Sequence, residues 1–281
     1  MDIERPGRTV DTNILSYDDG SLRHGYDTVV TEEPLEIRLV AGDATRTLAV
    51  TMRTPGNDFE LAAGFIFSEG IIRSGHDIVQ ISYCVDPAID AEQRYNIVNV
   101  ELRSRAFPDL SQFERHFTMN SACGVCGRAN LEALRDRGVP PVASDARVSI
   151  ELIYSLPERM RKAQRVFAST GGLHAAALFD ANGEALAVRE DVGRHNAVDK
   201  IVGWGLLAGG LPTSATVLMV SGRASYDILQ KAAVARIPVV ASVSAPSSLA
   251  IDLAREFNIT LAGFVRGRRA NIYSASERVA G

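Results

Sequence analysis

Hydrophobic and polar positions change rhythm along the chain. Pro34 to Val40 alternates, Ala41-Gly42-Asp43 supplies a turn, and Thr47 to Met52 alternates again. A period of two marks a strand with one face on a core, so this stretch predicts a hairpin. Asn57 followed by Glu60 has the form of a capping box and predicts a helix through Phe67. Ile78 to Cys84 and Tyr95 to Leu102 read as two further strands, giving an α+β first part. From Leu173 the rhythm differs. Leu173 to Phe179 and Ala185 to Arg189 flank Asn182-Gly183, a hairpin turn signal, and Asn196 to Leu207 reads as a helix. Strand Thr216–Val220, helix Tyr226–Ala235, strand Val239–Val243, helix Ser247–Phe257 and strand Thr260–Val265 then alternate. Such alternation predicts parallel strands joined by helical crossovers, an α/β fold.

Between these parts, Gly127 to Asp136 reads as helical, and Gly138 to Arg147, with two prolines, as a linker. Ser155, Pro157 and Glu158 open a helix that ends near Gly171-Gly172. The polar start reads as a tail. The expected organisation is a flexible arm over 1–25, a smaller α+β domain over 26–138 that ends in the cysteine loop and its helix, and an α/β domain over 139–281.

The chain has 281 residues, 46% of them hydrophobic, which suffices for one large domain or two smaller ones. A net charge of −4 creates no global field toward nucleic acid or anionic lipid, so an anion site must be built locally. Met1 to Ser16 carries charges and no apolar signal core, and no run is long enough to span a bilayer. Three cysteines make no disulfide framework. The expectation is a soluble cytoplasmic protein with reduced thiols.

Two of the three cysteines, Cys123 and Cys126, stand in Ser121-Ala122-Cys123-Gly124-Val125-Cys126-Gly127-Arg128. A pair so spaced can hold a metal, cycle through a disulfide or carry sulfur as a persulfide. A zinc site needs four ligands; Cys84 and His116 could complete one, but no second paired motif exists. A zinc deaminase would show His-x-Glu before the cysteines, whereas His174-Ala175-Ala176 lies after them and lacks the carboxylate. A thioredoxin-like enzyme would place the pair early, after a strand. Sulfur relay needs an accessible thiolate favoured by nearby positive charge, such as Arg128, and a second thiol able to resolve it.

Three successive strands end in small or charged residues: Ser221-Gly222-Arg223, Ser242 to Ser248, and Arg266-Gly267-Arg268-Arg269. Parallel neighbours would gather these ends on one edge, where ligands bind in α/β sheets. Gly222 permits close approach, the helix starts after Ser225 and Ser247 offer free amides, and the arginines suit phosphates. The plain alternative is a set of cap serines and solvated arginines. The densest polar run, Arg189 to Lys200, places His195 among Asp191, Arg194 and Asp199. Ser169 to His174 joins a helix end to a strand through two glycines; His174 is equally a site or a core histidine.

These runs resemble the FdhD/NarQ family of formate dehydrogenase accessory sulfurtransferases. The matching segments are Asn120 to Gly127, Ser169 to His174, Arg189 to Lys200, Ser221 to Arg223, and Gly263 to Gly267 leading to Asn271-Ile272-Tyr273. They fall in family order from Pro34 onward. The resemblance implies a cytidine-deaminase-like three-layer α/β domain with a smaller N-terminal α+β domain, as a homodimer. It implies a sulfurtransferase that takes persulfide sulfur from a cysteine desulfurase and passes it to the molybdenum bis(molybdopterin guanine dinucleotide) cofactor needed by formate dehydrogenase. Cys123 matches the persulfide cysteine and Cys126 its partner. Phe264, Val265, Arg266, Gly267, Arg268 and Arg269 match the cofactor-binding run, to which Ser221, Gly222 and Arg223 are added from the strand-end reading and His195 from the polar run. No resident metal is expected. The alternatives are a cofactor chaperone without sulfur transfer and a structural zinc protein.

Overall fold

Two mixed sheets and the helices packed on them organise the described residues, 7–110, 132, 134–211 and 215–281, of a computed structural model. The expected tail is, from Thr9, an antiparallel ribbon of β1 (Thr9–Asp18) and β2 (Ser21–Val30). Its apolar residues, Tyr17 and Tyr26 among them, lie open to solvent, so no burial rhythm marked it in the sequence. The ribbon is anchored at its base, where Thr31 N–H donates to Arg8 O and Val30 packs on Gly172.

The first sheet runs in the order β4-β3-β6-β5, from β3 (Glu33–Ala41), β4 (Ala44–Arg53), β5 (Ile78–Tyr83) and β6 (Ile97–Leu102), with α1 (Asp58–Ser68) between β4 and β5. Leu35, Ile37 and Leu39 point inward onto Leu61, Ala62 and Ile66 of α1. The intervening Glu36 and Arg38 pair at 2.8 Å on the other face, so the period of two follows from one wet and one dry side. The helix does not begin with the expected capping box. Asn57 adopts left-handed backbone (φ 59°) and caps nothing; its Oδ1 accepts from Arg8, while Glu60 turns to Arg189.

A short parallel pair, β7 (Val148–Ser149) with a C-terminal strand, precedes α2 (Ile150–Ala163) and α3 (Arg165–Thr170). The helix expected from Ser155 therefore starts earlier, capped by Ser149 Oγ accepting from Leu152 N, and continues through Pro157. Leu152, Ile153, Leu156 and Met160 pack on the main sheet and offset the roughly 3 kcal/mol that an internal proline costs. Gly171, at φ 67°, ends α3.

The main sheet has the order β13-β12-β11-β10-β8-β9. In chain order its elements are β8 (His174–Asp180), β9 (Ala185–Asp191), α4 (Arg194–Leu207), β10 (Ala215–Val220), α5 (Tyr226–Val234), β11 (Val239–Ser242), α6 (Ser248–Glu256), β12 (Thr260–Arg266) and β13 (Arg269–Ser274). The closing strand β14 (Val279–Ala280) pairs β7. Strands β10, β11 and β12 are parallel, as the alternation predicts, and antiparallel β8, β9 and β13 flank them. Alternate residues of each strand face opposite layers. Leu218, Val240 and Leu261 meet α4, α5 and α6, whereas Met219, Ala241 and Ala262 meet α2. Burial on both faces explains why these strands read as continuous apolar runs.

Helices α1 and α4 join the two sheets. A Cβ on Gly64 would lie 1.9 Å from Asp199 O, and one on Gly203 1.8 Å from Glu60 O. Only glycine permits this crossing.

Candidate functional site

The carboxyl ends of β10, β11 and β12 do share one edge, because the three strands are parallel neighbours. The loops leaving them are tied together. Ser242 Oγ donates to Gly222 O (2.7 Å), Ser247 N–H to Ala224 O (3.0 Å), and Phe264 N–H to Ser244 O (3.1 Å). Both following helices start at this edge. Ser247 caps α6 by accepting from Ala250 N, whereas Ser225 caps no amide of α5 and faces His195 Nε2 at 3.4 Å.

The structure gathers four residues around Gly222. Ser221 Oγ accepts from Ala175 N and lies 3.4 Å from His174 Nδ1. A Cβ on Gly222 would sit in ordinary contact with Arg194 and His174, so its absence leaves a cradle there. Arg194 Nε is enclosed and has no hydrogen-bond partner. An enclosed donor without a partner costs stability, and an anion would satisfy it. His174 is half-buried and lines a cleft of about 640 Å³ with Ser221, Arg161, Phe167 and Val192. Burial, then the nearness of Arg194 and the His195 ring, hold His174 below the ordinary histidine value, against the opposing pull of Asp191. His174 thus lines this cleft and is not enclosed in the core.

The remaining expected residues take distinct places. Arg223 is exposed beside Gly222. His195 Nε2 lies 3.3 Å from Asp227 Oδ2, and that bond, opposed by burial, holds Asp227 below its ordinary value. Phe264 adopts φ 54°, and the Arg266 guanidinium lies over its ring at 5.9 Å. Together with Arg269 they border a hollow of about 250 Å³. Gly267 forms the turn between β12 and β13 at φ 55°. Arg268 is already engaged by the Glu151 carboxylate, at 2.6 and 3.0 Å, near the Tyr154 ring. The Val265 side chain is buried in the core, so it offers a ligand backbone only.

Cys123, Cys126 and His116 lie outside the described residues. Cys84 is buried, and no group of three or more His, Cys, Asp or Glu is arranged for a metal among the described residues.

Most of the run from Arg189 to Lys200 serves the seam between the two sheets rather than the edge. Arg189 pairs with Glu60; Glu190 accepts from Val166 N and Phe167 N at the start of α3. Asn196, where the sequence pattern starts the helix, lies inside it: α4 begins at Arg194, and the Asn196 amide donates to Met52 O and Asp191 Oδ1. Lys200 Nζ meets Asp191 Oδ2 at 2.6 Å, and Lys231 Nζ meets Asp199 Oδ1 at 2.8 Å, all four side chains buried. These pairs went unread in the sequence, although a lysine beside Ala197-Val198 and Ile201-Val202 must be paired if that helix is buried.

Residues 30–280 match the family model described as the FdhD/NarQ family. A sulfur carrier protein FdhD of Streptomyces coelicolor is 51% identical over 270 residues, covering 95% of this chain and 94% of the relative. One of Saccharolobus solfataricus is 45% identical over 253 residues, covering 90% and 91%. A solved structure from Desulfotalea psychrophila, provisionally described as a formate dehydrogenase accessory protein, superposes with a TM-score of 0.74 at 26% identity, covering 98% of this chain and 100% of that one. The chain belongs to the FdhD/NarQ family. No helix among the described residues is long and apolar enough to cross a membrane.

Proposed function

We propose that this protein is a cytoplasmic, homodimeric sulfurtransferase that carries persulfide sulfur to a molybdenum bis(molybdopterin guanine dinucleotide) cargo for formate dehydrogenase. The observation that carries the reading is the 51% identity, over 95% of the chain, to a protein named as a sulfur carrier. The sequence supplies the thiols such a carrier needs in Cys123 and Cys126.

In the first exchange the Cys123 thiolate attacks the outer sulfur of a cysteine desulfurase persulfide. A new S–S bond forms on Cys123, the donor's S–S bond breaks, and the donor cysteine leaves as thiolate. Cys126 is the resolving thiol: its thiolate attacks the Cys123 sulfur, a Cys123–Cys126 disulfide forms as the persulfide S–S bond breaks, and the outer sulfur leaves as sulfide to the cargo, after which a dithiol reductant reopens the disulfide.

The carboxyl edge fits an anionic dinucleotide. The unpaired Arg194 Nε, the cradle at Gly222 and the start of α6 are donors and space suited to phosphate. Arg223, Arg266 and Arg269 add charge at the rim, with Phe264 as an apolar wall. His174 and Ser221 offer hydrogen bonds, His174 as a neutral imidazole at neutral pH.

The test is intact mass under non-reducing conditions after incubation with a cysteine desulfurase and cysteine. Wild type gains one thiol-reversible sulfur atom, and Cys123→Ser does not. Absence of the gain in wild type, with a desulfurase active on another acceptor, removes sulfur carriage.

A further inference from the structure

The opposite edge of the main sheet holds a second feature, unrelated to the anion-suited loops. A groove of about 870 Å³ lies between the two sheets, beside the segments that lead into β10 and β11. Its apolar walls include Phe67, Val202, Leu206 and Ile237. Val79 and Leu207, 53% and 47% exposed, stand on it as large apolar side chains open to solvent.

One wall is β5, the terminal strand of the first sheet. Four consecutive residues, Ile78 to Ile81, line the groove. The pairing with β6 shifts register between Ile78 and Gln80, so the strand bulges at Val79; beyond the bulge Gln80 and Ile81 point to opposite faces and both line the groove, which places the strand's outer edge, with its backbone donors and acceptors, beside the space. The outer edge of β5 pairs with no other strand among the described residues. An unpaired edge beside an apolar trough is the arrangement that accepts an added strand.

The charge is one-signed. The ionisable lining residues are Arg73, His76 and Arg236, in a chain whose net charge is −4. The nearby Asp77 carboxylate is turned away onto the amides of Arg73 (2.8 Å) and Ser74 (3.0 Å). Arg103, donating to His76 O, adds a further cation beside this rim.

We infer that this groove receives an extended segment of another protein, added as a strand to β5, with apolar side chains toward the trough and acidic ones toward Arg73, His76 and Arg236. Six residues of β5 match a partner strand of about 20 Å.

The test uses the full-length protein and three labelled synthetic peptides: acetylated octapeptides alternating valine with glutamate, the same with lysine, and the glutamate peptide N-methylated at alternate residues. Fluorescence anisotropy should show binding of the first. Both other peptides should bind at least about tenfold more weakly, and Arg73→Glu with Arg236→Glu should cost the acidic peptide a similar factor. No binding of the acidic peptide at about 1 mM, equal affinity for all three, or binding indifferent to the double charge reversal overturns the proposal. So does a concentration-dependent dimer by sedimentation that the double variant dissociates, since the groove would then seat a second copy. The variant's thermal unfolding and its persulfide mass gain, read separately, show that it folds and keep this result apart from the sulfur reading.

Discussion

Lys200 and Asp191 form an ion pair whose side chains are 1% and 0% exposed. Both partners reach across the joint between the sheets to the backbone of Thr54. Lys200 also donates to Thr54 O (3.0 Å) and Glu190 O (3.4 Å). Asp191 accepts from Thr54 N, Gly193 N and Asn196 Nδ2. Burial lowers the lysine's proton affinity, and Asp191 restores part of it. A buried pair is tolerable only when both partners are satisfied in this way.

Lys200→Met therefore leaves a buried carboxylate without its cation. Urea denaturation should show a loss of about 3–5 kcal/mol. Adding Asp191→Asn should cost less than the sum of the single changes, because the two sites share one network. A loss under about 1 kcal/mol for Lys200→Met would mean the pair does not hold the joint.

Gly64 and Gly203 should reverse the usual helix rule. In an open helix, alanine improves on glycine by about 0.5–1 kcal/mol. Here the new methyl would meet backbone carbonyls under 2 Å away, so either Gly→Ala change should destabilise by about 3 kcal/mol or more, at the upper end of overpacking costs. Thermal melts of both variants decide it; unchanged melting would mean that the helices separate freely.

Arg194→Met should split stability from binding. The change removes an enclosed donor that lacks a partner, so the melting temperature should hold or rise. Calorimetry with guanosine diphosphate as probe should show affinity falling by about tenfold or more, the size of a lost charge-assisted contact. Unchanged affinity would remove Arg194 from the anion site.

His174 should leave a signature in pH. Its folded value lies below the ordinary 6.5. Between those two values the unfolded chain binds more protons, so stability rises with pH across that window and falls away as pH drops below 6.5. His174→Gln should flatten that slope in denaturant titrations from pH 7 downward. A slope that persists unchanged belongs to another group.

Much of the main sheet was readable because its strands, dry on both faces, alternate with helices between clear turns. Two features hid from the sequence for opposite reasons. The β1–β2 ribbon buries almost nothing, so its ladder of backbone bonds has no hydrophobic period to announce it. Helix α2 carries a false start, since Ser155-x-Pro157-Glu158 imitates an opening that packing at Leu152 and Ile153 overrides. The run from Arg189 to Lys200 was legible as important but not as to why. Polar residues in a cleft and polar residues sealing an internal joint look alike in sequence, and only their partners, Glu60, Met52 and Thr54, tell them apart.

The bond from Lys200 to Thr54 spans 146 residues of chain. At about 5–20 residues per second, a ribosome needs roughly 7–30 seconds between making one partner and making the other. Throughout that interval the nascent first sheet exposes the glycine-notched face of α1 and the unanswered backbone at Thr54. The first half of this protein is thus born waiting, and its exposure to proteases and holdase chaperones is set by translation speed downstream of it. Slow codons before Lys200 should lengthen that vulnerable period, and fast ones should shorten it.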